Sequence, residues 1–133
     1  MKGSNQMKKG FTLVELLATI VIISIIARIT TPAMLNVIND ARKNTFKQSV
    51  NSLINTVELD YTENARTGEV TYEYKNNTLT CIKCDKGSNL DINFTGEIKN
   101  GSGTIIKNKN DLTINITNSR YQAEIENGKL QVK

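Results

Sequence analysis

The sequence contains no histidine and no tryptophan, a single proline and two cysteines, and only 5% of its residues are aromatic. Without histidine, the commonest general base and the commonest metal ligand are both missing, which counts against an enzyme and against a metal cofactor. Two cysteines alone fall short of the roughly four ligands that a structural zinc site needs. One proline and eight glycines in 133 residues exclude collagen-like repeats, and 23% charged with 38% apolar residues is a globular balance that excludes wholesale disorder. The length allows one domain with a modest core.

The net charge of +4 comes from seventeen basic and thirteen acidic residues, but Lys2, Lys8 and Lys9 all fall within the first nine positions. A chain without that segment is nearly neutral and has no basic stripe, so a specific nucleic-acid partner is not expected. The lysines read as a targeting signal.

What is abundant is apolar and lies near the N-terminus. Phe11 to Ala27 contains one charge, Glu15, and the run Leu16 to Ala27 contains none. As a helix this segment is about 26 Å long, slightly less than the roughly 30 Å hydrocarbon core of a bilayer. Its apolar residues face every direction, and a chain this small has too little protein to surround it, so the segment is expected to reside in a membrane. A secretory signal peptide would be followed by a small-x-small cleavage site. The residues after Ala27, Arg28-Ile29-Thr30-Thr31-Pro32-Ala33-Met34, have no convincing one. An acid inside such a run is costly, about 2.5 to 3.5 kcal/mol at a helix centre and less near an end, and it asks for a partner.

The stretch Lys8-Lys9-Gly10-Phe11-Thr12-Leu13-Val14-Glu15-Leu16-Leu17, with the apolar run behind it and Pro32-Ala33 beyond, resembles the class III signal of type IV prepilins. The resemblance covers about the first 35 residues. It implies that a prepilin peptidase cuts on the cytoplasmic side between Gly10 and Phe11 and methylates the new N-terminus at Phe11. It also implies that Glu15, fifth in the mature chain, pairs with the Phe11 amine of a neighbouring subunit. Solvation of this carboxylate by headgroups is the simpler alternative. Lys8 and Lys9 would hold the leader in the cytoplasm.

Pro32 has no amide hydrogen to give the carbonyl of Arg28, so a helix kink or local unwinding is expected there, as in type IV pilins; the alternative is that Pro32 marks the helix end. Thr30 and Thr31 are candidates to take up the freed backbone groups. Arg28 departs from the prepilin pattern, which usually has a small apolar residue at that position. It lies about 20 Å along the helix from Glu15, too far for an ion pair within one chain. It either snorkels to headgroups or meets an acid of a neighbouring subunit.

Beyond Pro32, Phe46, Val50, Leu53, Val57 and Tyr61 recur at steps of four and three, with Ile54 beside them, an amphipathic stripe that needs a sheet to lie on. From Glu69 the period shortens. Short strands are expected at 70–74, 78–82, 90–94, 104–106, 112–116, 121–125 and 129–132. Asn76-Asn77, Lys86-Gly87-Ser88-Asn89, Asn100-Gly101, Asn110-Asp111 and Asn127-Gly128 separate them, and Asn127-Gly128 is the clearest hairpin signal. The expected fold class is α+β: a long N-terminal helix packed on a small antiparallel sheet of four to seven strands, as in pilins. The expected organisation is a leader at 1–10, a transmembrane or filament-core helix at 11–31, an amphipathic continuation at 32–67 and a β-rich head at 68–133.

Cys81 and Cys84 form a Cys-x-x-Cys. In a continuous strand their Cα atoms would stand about 10 Å apart, beyond the roughly 7 Å reach of a disulfide, so a bridge requires a turn between them. A local disulfide, free thiols and metal or redox chemistry are the alternatives, and an extracellular location favours the first. Four Asn-x-Ser/Thr matches, at Asn76, Asn93, Asn100 and Asn115, are the number that seventeen asparagines and fifteen threonines produce by chance.

Three functions remain. The first is a non-enzymatic type IV pilin subunit of a surface filament serving adhesion or twitching motility. Its partners would be the prepilin peptidase, other pilin subunits and the inner-membrane assembly machinery; it would cross the cytoplasmic membrane once, N-terminus inside, before assembly. The second is a minor pilin or pseudopilin of a secretion or DNA-uptake fibre. The third is a single-pass anchored binding domain that never polymerises and tolerates Glu15→Gln.

Overall fold

The structure is a computed structural model and describes residues 9–85 and 90–133. The leader lysines Lys2 and Lys8 and the turn expected at Lys86–Asn89 lie outside the described residues. One helix, α1 (Leu13–Glu63), is followed by seven strands: β1 (Val70–Lys75), β2 (Thr78–Lys83), β3 (Leu90–Ile92), β4 (Ser102–Lys107), β5 (Leu112–Thr117), β6 (Gln122–Glu126) and β7 (Lys129–Val132). The chain divides into two compact units within α1, between Asn39 and Asp40.

In the first unit the helix carries leucine, isoleucine and valine on every side, and from Leu13 to Ile38 none of these side chains is buried. It contains the one stretch among the described residues that is long and apolar enough to cross a bilayer. The hydroxyls of Thr19 and Ser24 donate to the carbonyls of Leu16 and Ile20, so the few polar side chains here are satisfied by their own helix. The helix continues through Pro32 without a break. The hydroxyls of Thr30 and Thr31 donate to Ile26 O (3.0 Å) and Ala27 O (2.6 Å). Neither reaches the carbonyl of Arg28, the one that Pro32 deprives of its helical donor.

In the second unit the helical period decides what is buried. Phe46, Val50, Leu53, Val57 and Tyr61 form the buried stripe of α1 and share one core with Val70, Tyr72, Tyr74, Leu79, Cys81, Ile105, Ile114, Ile116 and Ala123 from the sheet. The helix ends in a reversal of the chain. Ala65 takes a left-handed φ of 45°, Arg66 N–H donates to Tyr61 O (3.0 Å) and Ala65 N–H to Thr62 O (3.1 Å). This is a Schellman motif, with alanine where glycine is usual.

The sheet order is β3-β2-β1-β4-β5-β6-β7, antiparallel at every pair. Asn76-Asn77 and Asn127-Gly128 have positive φ at both residues and form two-residue hairpin turns, whose twist matches that of the strands they join. The strands grow outward from β1 to β3, after which residues 93–101 return the chain so that β4 pairs with the other side of β1. Tyr74 holds this return: its hydroxyl donates to Asn77 Oδ1 (2.6 Å) and accepts from Ile98 N–H (3.0 Å), and Phe94 stands edge-on to its ring at 5.7 Å. On the face away from the core, Asp91, Thr80, Glu73, Thr104, Asn115, Glu124 and Gln131 fall in register as one polar row across all seven strands.

Two substitutions test this geometry in opposite directions. Ala65→Gly relieves the left-handed residue and is expected to stabilise the head by about 1 kcal/mol. Gly103→Ala on β4 drives a Cβ into the carbonyl of Asn115 on β5 and is expected to destabilise by about 1 to 3 kcal/mol. Thermal unfolding of the full chain in detergent, followed by circular dichroism, reads both.

Candidate functional site

The site begins where α1 begins. Lys9 to Thr12 are non-helical and exposed, Phe11 is 88% exposed, and none of the described residues lies within 4 Å of where a Cβ on Gly10 would stand. The Gly10-Phe11 bond is therefore open to an approaching protease.

Four residues after Phe11, the Glu15 carboxylate closes on the start of its own helix. Glu15 Oε2 accepts from Thr12 N–H (2.9 Å) and from the Thr12 hydroxyl (3.1 Å), while Thr12 Oγ1 accepts from Glu15 N–H (3.2 Å). Thr12 O also accepts from Leu16 N–H (3.1 Å). This is a capping box: the threonine and the acid satisfy each other's backbone donors, and the positive end of the helix dipole favours the carboxylate. The acid in the apolar run thus has a partner within its own chain. Glu15 Oε1 accepts no hydrogen bond among the described residues, so half of the carboxylate remains available to a cation from outside. The Thr12-x-x-Glu15 spacing is the sequence signature of such a cap.

The other expected residues lie apart from this group. Arg28 is exposed in the apolar helix and has no ion pair among the described residues, and Pro32 lies one turn further on. Cys81 and Cys84 are in the second unit, joined as a disulfide with their Cα atoms 6.1 Å apart.

A second polar group lies where α1 passes into β1, and no motif pointed to it. Arg66 is only 6% exposed; its Nε donates to Asp60 Oδ2 (2.6 Å) and its Nη2 to Asp60 Oδ1 (3.2 Å). The Tyr72 hydroxyl donates to the same Asp60 Oδ2 (2.8 Å). Asp85 Oδ2 accepts from Thr67 N–H (2.9 Å), and Asp85 Oδ1 lies 3.7 Å from Arg66 Nη1. The bond from Arg66 to Asp60 raises the guanidinium above its ordinary value, and burial pushes the Tyr72 phenol well above its own. The Thr67 N–H lowers the Asp85 carboxyl. The arrangement pairs every charge with a neighbour and leaves no free nucleophile or base, which is the chemistry of a structural tie.

The N-terminal geometry agrees with what comparison finds. The family model described as the prokaryotic N-terminal methylation motif matches residues 5–27. No curated protein and no solved structure matches the chain. The chain carries the class III signal typical of type IV pilins and pseudopilins, which implies processing by a prepilin peptidase, and its long helix on a seven-stranded antiparallel sheet is pilin-like. Proteins of that kind are generally structural and non-enzymatic.

Two measurements test the polar groups. Thr12→Ala removes the cap and is expected to cost the first turn about 1 kcal/mol, read as faster amide exchange at Glu15 and Leu16 in micelles. The Tyr72 phenol is held neutral by the fold, so its contribution to stability is complete below pH 10.0, its ordinary value, and is lost as the pH rises further. The alkaline decline in stability is therefore expected to be shallower in Tyr72→Phe than in the parent chain.

Proposed function

We propose that this chain is a type IV pilin subunit, a structural element of a surface filament. The observation that carries the reading is the set Gly10, Phe11 and Glu15 at the exposed start of an apolar helix, with one carboxylate oxygen left free. The peptidase cuts between Gly10 and Phe11 and methylates the amine of Phe11, leaving the leader of residues 1–10 behind. The apolar helix, residues 11–31, holds the subunit in the cytoplasmic membrane with its N-terminus inside, since the lysines lie on the leader side. The amphipathic continuation, residues 32–67, and the β-rich head, residues 68–133, follow on the outer side.

Assembly by the inner-membrane machinery then exchanges lipid for the helices of other subunits. An amine at Phe11 of one subunit is a cation of the kind that Glu15 Oε1 of the next can accept, and in an apolar setting that ion pair fixes the register between copies. Pro32 is where the helix is weakest, because the Arg28 carbonyl has no helical donor, and loosening there adapts the helix to its packing in the fibre. Adhesion and twitching motility are the roles that such a filament serves.

Arg28 favours a second reading. An exposed cation in the apolar helix is costly in a fibre core surrounded by other helices and cheaper at a fibre end, where a minor pilin or pseudopilin sits. Relative abundance separates the two.

Mass spectrometry of sheared surface filaments is expected to find an N-terminal peptide beginning at N-methylated Phe11. Recovery of Met1 only in the membrane fraction would favour an anchored, non-polymerising domain. Glu15→Ala is expected to leave cleavage intact and to lower fibre incorporation about tenfold or more, the scale of one desolvated ion pair. Normal fibre content in that variant overturns the pairing.

A further inference from the structure

The Cys81–Cys84 bridge takes no part in filament assembly as proposed above, yet it stands beside the polar junction between α1 and β1. Cys81 is fully buried in β2, opposite Tyr72 on β1. Cys84 lies just past the end of the strand and is partly exposed. A straight strand would separate their Cα atoms by about 10 Å. They stand 6.1 Å apart, so the bridge closes on a turn. The residue this turn delivers is Asp85, whose carboxylate reaches back eighteen positions to Thr67 N–H (2.9 Å) and the Thr67 hydroxyl (3.3 Å).

Asp85 also supplies the charge nearest to the one atom of Arg66 that lacks a hydrogen bond. Arg66 Nη1 is buried, donates to no acceptor within hydrogen-bond reach among the described residues, and lies 3.7 Å from Asp85 Oδ1. The other nitrogens of Arg66 are committed to Asp60 on α1. Arg66 and Thr67 thus connect the helix to the sheet, and a carboxylate positioned by the cysteine turn fastens that connection from outside.

We propose that the Cys81–Cys84 bridge is a redox-dependent latch on the helix-to-sheet junction: closed, it holds Asp85 on Thr67 and Arg66; open, it releases the junction while the sheet stays folded. Because Cys81 has no exposed surface, Cys84 is the sulfur that an exchange partner meets. The partner is a disulfide outside the cytoplasm, carried by an oxidoreductase or a small thiol compound. To close the latch, the Cys84 thiolate attacks one sulfur of the donor disulfide, forming a mixed disulfide and releasing one donor thiolate. The Cys81 thiolate then attacks the Cys84 sulfur and releases the second donor thiolate. The cysteine pair loses two electrons, the donor gains them, and the two cysteine protons end on the donor thiols. Cys81 is enclosed but adjoins Cys84, so the second attack needs no opening of the sheet, and closure ties locking of the junction to arrival in an oxidising compartment.

The test uses the full chain in detergent micelles. Alkylation and intact mass under non-reducing conditions are expected to show no free thiol; two free thiols overturn the proposal. Hydrogen exchange at the Thr67 amide is expected to quicken about tenfold on reduction with dithiothreitol, with the β1 and β4 amides changing by less than about twofold. Asp85→Asn, with the bridge intact, is expected to quicken Thr67 to a similar degree. No change at Thr67 on reduction, or none in Asp85→Asn, overturns the proposal. Equal acceleration throughout the sheet overturns it too, because the bridge would then support the whole head rather than the junction.

Discussion

Residues 13–38 form a helix with apolar side chains on every side, and the chain buries none of them. Water is a poor solvent for such a surface, at roughly 25 cal/mol for each Å² left exposed, so the segment needs lipid or other apolar helices around it at every stage. The remaining features of the N-terminus follow from this need. A helix start in an apolar medium is costly where its amides are unpaired, and Thr12 with Glu15 satisfies two of them locally. The serine and threonine hydroxyls further along bond back to the preceding turn for the same reason.

The second unit solves a different problem. One helix stripe and one sheet face make a small core, and a core of that size is secured at its margins by polar ties. Tyr74 is pinned at one margin by Asn77 and Ile98, and Tyr72 at the other by Asp60. Both tyrosines keep their rings in the core and give their hydroxyls polar partners, so each buries apolar area without stranding a polar atom. Lys107 does likewise: its Nζ lies 3.4 Å from Glu58 and 5.7 Å from the centre of the Tyr61 ring, joining β4 to α1.

Much of this fold was legible because it is periodic. The spacing of Phe46, Val50, Leu53, Val57 and Tyr61 names the buried helix face, and alternation with asparagine-rich turns places the strands within a residue or two of their observed ends. The features that sequence did not show depend on partners far apart in the chain or on unusual residues. The helix reverses at Ala65, where no glycine marks it. Asp60, Arg66, Tyr72 and Asp85 look like ordinary surface residues until the fold brings them together. The pairing of β4 with β1 depends on the 93–101 return, whose turn signal at Asn100-Gly101 marks an end of the strand but not the path back to β1. At the candidate site, Gly10, Phe11 and Glu15 are legible by motif, whereas the role of Thr12 is visible only once the Glu15 carboxylate folds back on it.

The polar row from Asp91 to Gln131 has its own consequence. Its side chains are threonine, asparagine, glutamine and carboxylates that point away from the core, so none of the packing that specifies the head passes through them. Any residue that suits an extended backbone can stand in most of these places without disturbing the interior. Two heads of one fold can therefore present different surfaces along this row, and it is the part of the molecule most free to diverge between close relatives while the buried face stays fixed.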